Sequence, residues 1–221
     1  MINLSKYRII DLSYELLPGE RKMDGRYLHG QPFYGRWIEL QEFIAYGARM
    51  HFIQSQTHNG THAEAPYKYS ETGADCVQMP VECYMGEAVV CNFSRKKAGE
   101  PITVEDVKSC GVKAGDIVLA YAGKETLSNP PYMTVEAIDW LIATKIKLFA
   151  NENLLYSPPG TPVGPGDADC KLLLAGITMV DALTGLSQIK KPRVFFIGLP
   201  IKMRRVTACW VRAIALEEID D

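Results

Sequence analysis

The chain has 221 residues, of which 47% are hydrophobic and 23% are charged, a balance typical of one globular domain rather than of a disordered or fibrous protein. Its 24 basic and 26 acidic residues give a formal net charge of −2, which does not fit the basic surface of a nucleic-acid-binding protein. The first residues lack a signal-peptide pattern, and no window approaches the roughly 18 apolar residues of a membrane span, so neither export nor a membrane partner is predicted.

Six cysteines lie at positions 76, 83, 91, 110, 170 and 209, and none of them forms a Cys-x-x-Cys pair. In a chain without an export signal, this distribution indicates reduced thiols. Free cysteine behaves as a small hydrophobic residue, so most of the six are expected to be buried. The sequence therefore predicts a cytoplasmic protein.

Short strands and one long loop are predicted for the first part of the chain. Residues 7–13 form a β-prone run, whereas residues 14–36 are rich in Gly, Pro and Arg and are predicted to be a long arm or lid with little core of its own. Strands are expected at 37–44 and 48–57, and a buried strand is expected at 86–93, where an apolar run is bounded by Gly and Ser.

Helices and strands alternate in the rest of the chain. A helix begins near Thr103, and the clearest helix spans 133–142, with Thr134 as its cap and an apolar stripe along one face. The other expected elements are strands at 116–121, 148–150, 194–200 and 208–216, a Pro/Gly loop at 157–168 and a helix at 169–176. This mixture predicts an α/β or α+β fold with a sheet-dominated core, in a single domain over residues 1–221.

Two of the four histidines, His58 and His62, lie four residues apart, and Glu64 follows. Imidazole and carboxylate groups at this density are typical of a metal site. Three converging protein ligands leave a position open for water or substrate, which is the layout of a catalytic metal site. The residues alone leave open the alternative that both are ordinary loop histidines.

The local sequence places these residues on a turn and a strand rather than on a helix. Asn59-Gly60 is a strong turn dipeptide, and Pro66 follows closely. We therefore expect a strand that ends near Thr57, a tight turn with Gly60 at positive φ, and an extended piece in which residues 62 and 64 point to the same side. The remaining histidines are interpreted differently: His29 as a surface residue or part of a lid, and His51 as a hydrogen-bonded core residue.

Segment 57–66, Thr-His-Asn-Gly-Thr-His-Ala-Glu-Ala-Pro, resembles the His-x-Gly-Thr-His-x-Asp-x-Pro-x-His signature of the cyclase family, to which kynurenine formamidase and isatin hydrolase belong. Further similar blocks lie at 11–13, 80–82, 86–90, 102–107, 115–119, 196–202 and 211–216, so the resemblance covers nearly the whole chain. It implies a swivelling β/β/α fold, a homodimer or homotetramer, and Zn²⁺ or Mn²⁺ held by His58, His62 and Glu64. The implied chemistry is the opening of an amide or lactam by metal-activated water.

The motif itself departs from the family pattern at two positions. Glu64 stands where the family has Asp, and Lys68 replaces the closing histidine that is usually assigned to proton transfer. Lysine could transfer a proton only if its pKa were lowered. Otherwise it is a fixed positive charge, suited to hold a carboxylate or to stabilise an oxyanion.

Two later segments also depart from the family pattern. Asp169 and Asp181 stand where the family has a His and a Glu twelve residues apart, and two aspartates favour Mn²⁺ or Mg²⁺ over Zn²⁺. Asp169 could instead cap the helix that follows it. Arg204-Arg205 replaces a small, glycine-rich stretch, and such an arginine pair would bind a carboxylate or phosphate or make a subunit contact.

The sequence thus predicts a metal-dependent hydrolase that opens a C–N bond of a small molecule, which is expected to be anionic. Two alternatives stay open: a lyase, cyclase or dehydratase on the same fold, or a binding protein with a degraded metal site. The predicted metal ligands are His58, His62, Glu64 and Asp169; the predicted catalytic residues are Lys68, Glu64 and Asp181; the predicted substrate contacts are Trp37, Arg204 and Gln56.

Overall fold

The structure is a computed structural model, and it describes residues 3–16, 38–123, 128–162, 164 and 167–219. The predicted arm at 14–36 therefore falls outside the described residues from position 17 onward, as do His29 and Trp37. None of the described helices is both long enough and apolar enough to cross a membrane.

Thirteen strands and three α-helices make up the described chain. The strands are β1 (Tyr7–Asp11), β2 (Ile38–Ala45), β3 (Ala48–Ser55), β4 (His62–Glu64), β5 (Met85–Asn92), β6 (Pro101–Ile102), β7 (Ile117–Tyr121), β8 (Tyr132–Met133), β9 (Leu148–Glu152), β10 (Thr178–Asp181), β11 (Arg193–Ile197), β12 (Ala208–Trp210) and β13 (Ile214–Glu218). The helices are α1 (Val104–Ser109), α2 (Val135–Thr144) and α3 (Ala168–Leu174).

Nine strands form one mixed sheet in the order β1-β13-β11-β5-β7-β9-β10-β4-β12. The neighbours β5, β7, β9 and β10 pair in parallel, and the outer pairs are antiparallel. All five residues of β7 and of β9 are buried, as expected for parallel strands that are covered on both faces. The predicted α/β class with a sheet-dominated core is confirmed.

Alternate residues of the central strands contribute to two apolar cores, one on each face of the sheet. Val118 and Phe149 pack on one side with the buried faces of the three helices, including Ile138 of α2 and Leu172 of α3. Leu119 packs on the other side with residues from the outer strands. This alternation follows from the two-residue period of a strand.

The helix starts follow the predicted capping chemistry. Thr103 caps α1 through a capping box with Asp106, and Thr134 accepts a hydrogen bond from the N–H of Ala137 at the start of α2. The cap of α3 is Asp167 rather than Asp169, so the alternative assignment of Asp169 as a helix cap is wrong.

Three local predictions need correction. Strand β3 ends at Ser55 rather than at 57, and the strand predicted at 208–216 is broken into β12 and β13. His51 is not a core residue: its side chain is exposed and lies 3.6 Å from a carboxylate oxygen of Glu42. A strand was visible in the sequence at β3. Among the described residues, however, β2 and β3 pair only with each other, so the large sheet does not bury His51.

Candidate metal centre

The turn that precedes β4 has the predicted form. Gly60 adopts φ of +63°, in the left-handed region that glycine enters without steric cost. The carbonyl oxygen of Gly60 lies 2.8 Å from Nδ1 of His62. A carbonyl only accepts hydrogen bonds, so Nδ1 carries the proton and Nε2 of His62 presents its lone pair to the site.

Strand β4 carries His62 and Glu64 on one side, as the alternation predicted, and both residues are 1% exposed. Their Nε2 and Oε1 atoms lie 3.3 Å apart, and Nε2 of His58 lies 3.3 Å from the same Oε1. The lone pair of His62 therefore faces a carboxylate oxygen, which is a repulsive arrangement unless a cation or a proton lies between the two atoms. This donor set fits a divalent metal ion.

Strand pairing brings a second carboxylate to the same place. Asp181, the last residue of β10, pairs in register with His62 on β4. Among the described residues, His62, Glu64 and Asp181 each offer one ligand atom within 4.8 Å of the other two. The hydroxyl of Tyr156 donates a hydrogen bond to Oδ1 of Asp181.

Lys68 lies on the outer side of Glu64. Its Nζ donates to Oε2 of Glu64 at 2.8 Å and to Oδ2 of Asp169 at 2.8 Å. The Tyr69 hydroxyl donates to the same oxygen of Asp169 at 2.7 Å. Asp169 was predicted to bind the metal, but its described contacts place it in an ion pair with Lys68, whereas Asp181 lies in the ligand group.

Charge and burial separate the pKa values of these groups. Burial raises the pKa of Glu64, but His62 and Lys68 outweigh it and bring the pKa to about 2. Burial lowers the pKa of Lys68, but Glu64 and Asp169 outweigh it and hold this pKa above its usual range. Burial and the nearby charge of Glu64 raise the pKa of Asp181 to about 6. The direction of the pKa shift of Lys68 favours the second role predicted for this residue, a fixed positive charge, over proton transfer.

A cleft of about 250 Å³ adjoins this centre. Its wall is formed by the loop from Leu155 to Thr161 together with Asp167 and Asp169. Tyr156 and Asp169 connect the cleft to the centre, since the first donates to Asp181 and the second accepts from Lys68. The cleft therefore adjoins the hydrogen-bond partners of Asp181 and Lys68, and none of the ligand-group residues lines its wall.

The predicted substrate contacts are not brought together by the described structure. Gln56 follows β3 and is exposed, and Trp37 lies outside the described residues. Arg204 is exposed, and its positive charge acts on Asp75. Sequence reasoning missed Tyr156 and Tyr69. Tyr156 could have been found from its place just after β9, because polar groups at the carboxyl ends of parallel strands often line a site.

Asp75 connects the segment after the motif to the loop that carries Arg204 and Arg205. It is 5% exposed, and its Oδ1 accepts from the N–H groups of Val77 and Gln78, at 3.0 Å and 2.9 Å. Its Oδ2 accepts from the N–H of Arg205 at 2.8 Å. Burial raises the pKa of Asp75, but these backbone hydrogen bonds and Arg204 outweigh it, so the pKa lies below its ordinary value.

Known proteins resemble this chain over most of its length. The family model for cyclases matches residues 10–156. A kynurenine formamidase from Erythrobacter litoralis (strain HTCC2594) is 28% identical over 222 residues, covering 98% of this chain and 97% of that protein.

Two solved structures share the fold. Isatin hydrolase A from Labrenzia aggregata has a TM-score of 0.77 at 23% identity, over 97% of this chain and 95% of that one. A predicted metal-dependent hydrolase from Bacillus stearothermophilus has a TM-score of 0.74 at 17% identity, over 96% of this chain and 99% of that one.

Gly60→Ala is expected to destabilise the protein more than Gly47→Ala does. Both glycines have positive φ, which costs an alanine about 1–2 kcal/mol. A Cβ at Gly60 would also come within 2.3 Å of Cδ2 of Leu16, whereas a Cβ at Gly47 meets open space. Urea unfolding of both variants measures the difference, and equal losses of unfolding free energy would show that the turn tolerates the added carbon.

Asp75→Asn is expected to lower the free energy of unfolding by about 1–3 kcal/mol at neutral pH, because the amide nitrogen would face a backbone donor. A carboxyl whose folded pKa lies below its ordinary value of 3.8 stabilises the fold above that pH, and the stabilisation is lost as the pH falls through the folded pKa. The difference between parent and variant should therefore be constant above about pH 5 and shrink below about pH 4.

Urea unfolding between pH 3 and pH 7 makes this measurement. Asp139→Asn is the matched control, because Asp139 is half exposed and contacts Lys171 at the surface. A variant difference that stays constant down to pH 3 would contradict the assignment.

Proposed function

The chain belongs to the cyclase family, and from this we propose that it is a metal-dependent hydrolase that opens the C–N bond of a small amide, lactam or formamide. The observation that carries the proposal is the convergence of two imidazole nitrogens on the buried Glu64, with Asp181 beside them. Relatives named as a kynurenine formamidase and as isatin hydrolases support the same bond type.

We assign His58, His62 and Glu64 as the ligands of a Zn²⁺ or Mn²⁺ ion. Imidazole and carboxylate donors suit both metals. Such an ion, when bound, supplies Lewis-acid activation of the substrate carbonyl and of the attacking water. The low pKa of Glu64 supports its role as a ligand, because the carboxylate stays ionised across the physiological range.

The other residues of the centre have separate tasks in this proposal. Asp181 lies near the ligand atoms and accepts a hydrogen bond from the Tyr156 hydroxyl. Together the carboxylate and the hydroxyl take a proton from water and return a proton to the leaving nitrogen. Lys68 keeps its charge and stabilises negative charge at the outer edge of the centre. Asp169 holds Lys68 in place and is not needed as a ligand.

The expected negative charge of the substrate remains a prediction that these contacts do not favour. Lys68 is already paired with two carboxylates, and Arg204 is exposed next to Asp75. The cleft wall offers the hydroxyl groups of Tyr156 and Ser157 and the carboxylate of Asp167. These groups suit a neutral substrate whose amide N–H donates a hydrogen bond.

We predict that the protein purified without chelator carries close to stoichiometric Zn or Mn and that the double variant His58→Ala/His62→Ala loses it. The reason is that each substitution removes an imidazole from Oε1 of Glu64. Elemental analysis per chain makes the measurement, and His51→Ala, at an exposed strand position, is the matched control.

The same samples are assayed with isatin and with a formylated aromatic amine, and the products are identified. Metal with hydrolysis products supports the proposal. Metal with elimination or ring-closure products would favour the lyase or cyclase alternative, which rests on the replacement of two family histidines by Lys68 and Asp169. If the folded parent takes up no metal even after reconstitution, the hydrolase proposal is refuted and the binding-protein alternative is favoured.

We also propose that the protein forms a homo-oligomer through the β2–β3 hairpin. Within the part of the chain that the structure describes, the two strands pair only with each other, and an isolated two-stranded ribbon is marginally stable in water. Its apolar side chains are nevertheless exposed: Ile44 by 75%, Phe52 by 64% and Ile53 by 58%. Phe52 and Ile53 are consecutive on β3, so apolar side chains are exposed on both faces of the hairpin. Such exposure favours an interaction surface, and a second copy of the chain is the partner that the family resemblance implies.

Ile44→Lys/Phe52→Lys is therefore expected to convert the oligomer to a monomer, because two charges would be buried without partners. Light scattering after gel filtration measures the mass. Leu174→Lys, at an exposed position of α3, is the control and should leave the mass unchanged. A parent that is monomeric, or a double variant of unchanged mass, would refute this assignment.

We place the protein in the cytoplasm, a location that the thiols support. All six cysteines are free, including Cys76 and Cys209, which contact each other, and Cys91 and Cys110, which do the same. Neighbouring thiols that remain unbonded are typical of a reducing compartment.

A further inference from the structure

The two oxygens of Glu64 face different partners. Oε1 faces Nε2 of both His58 and His62, whereas Oε2 accepts from the ammonium of Lys68. A metal ion held by the imidazoles would therefore use Oε1 and leave Oε2 on the lysine side. With such an ion bound, the carboxylate would lie between two positive charges.

The ammonium of Lys68 occupies the position that a second cation would need. It is held by Oε2 of Glu64 and Oδ2 of Asp169, each at 2.8 Å, and its side chain is 22% exposed. Metal–oxygen distances for Zn²⁺ are about 2.0–2.2 Å, so a second ion bound by these two carboxylates would have to displace the ammonium.

Neighbouring elements of the fold hold the ammonium of Lys68 in place. Lys68 ends a short 3-10 helix, Pro66–Lys68, that follows β4 directly. Helix α3 packs against that helix and supplies Asp169. The Tyr69 hydroxyl donates to Oδ2 of Asp169, and Oδ1 accepts from the N–H of Cys170, so the carboxylate that holds the lysine is itself held on both oxygens.

We propose that Lys68 is a built-in cation that limits this centre to one divalent ion and fixes which oxygen of Glu64 faces it. The inference rests on the proposed metal-dependent function. Lys68 is therefore a positioning residue, acting through Glu64. Its replacement by a neutral ligand is expected to change the number of ions rather than only the rate.

The test is the Mn²⁺ stoichiometry of the full-length protein. Chains saturated with Mn²⁺ and freed of excess ion by gel filtration are measured by elemental analysis and by electron paramagnetic resonance. The parent is expected to hold about one ion per chain with the six-line spectrum of an isolated Mn²⁺. Lys68→His is expected to hold about two, with a spin-coupled spectrum from ions about 3.5–4 Å apart.

Lys171→His is the matched control, because Lys171 also pairs with an aspartate, Asp139, but lies away from the ligand group. It should keep the parent stoichiometry. If circular dichroism shows that Lys68→His is unfolded, Lys68→Gln takes its place, since an amide of similar length removes the charge and is likewise expected to admit a second ion.

The outcomes separate this inference from the proposed function. A parent with two ions would refute the built-in cation and leave the metal-dependent function standing. A parent with one ion and folded Lys68 variants that also hold one would refute the limiting role of Lys68. A folded parent with no ion would overturn both.

Discussion

The structure of the centre depends on how the buried carboxylate of Glu64 is compensated. This side chain is 1% exposed, and an isolated carboxylate at such a position would be strongly destabilising. The ammonium of Lys68 on one oxygen, and His62 on the other in its protonated form, bring the pKa to about 2. When the imidazoles are neutral, their lone pairs and the carboxylate oxygen form a donor set that suits a divalent ion in place of that proton.

The contacts of Glu64 come from the segment 58–68, whereas the other groups of the centre come from distant parts of the chain and are brought beside it by the sheet and α3. Strand β4 lies between β10 and β12, and the register places Asp181 opposite His62. The parallel strands β9 and β10 end near the same edge, where the segment after β9 supplies Tyr156. Helix α3 then brings Asp169 onto Lys68. The centre is thus assembled at the junction between the parallel and antiparallel parts of the sheet.

Local features of this centre could be predicted because they depend on neighbouring residues. Asn59-Gly60 predicts a turn with positive φ, and Gly60 adopts it. An extended segment places residues 62 and 64 on one side, and β4 does so. Helix capping by Thr103 and Thr134 is equally local and equally correct. The cap of α3 was placed two residues late, since Asp167 and Asp169 are both suitable caps and only the backbone distinguishes them.

The sequence by itself determined the α/β class, the ligand-bearing strand and the family resemblance, because periodicity, turn residues and a compact motif are all encoded within a few positions. Only the tertiary structure decided which aspartate lies beside His62 and Glu64 and which pairs with Lys68. That choice depends on the register of β10 against β4 and on the packing of α3, contacts between residues about one hundred positions apart. The tertiary structure also decided that β2 and β3 form a separate hairpin beside the large sheet and that His51 is exposed. Burial of a strand residue depends on what packs against the strand and not on the residue pattern of the strand itself.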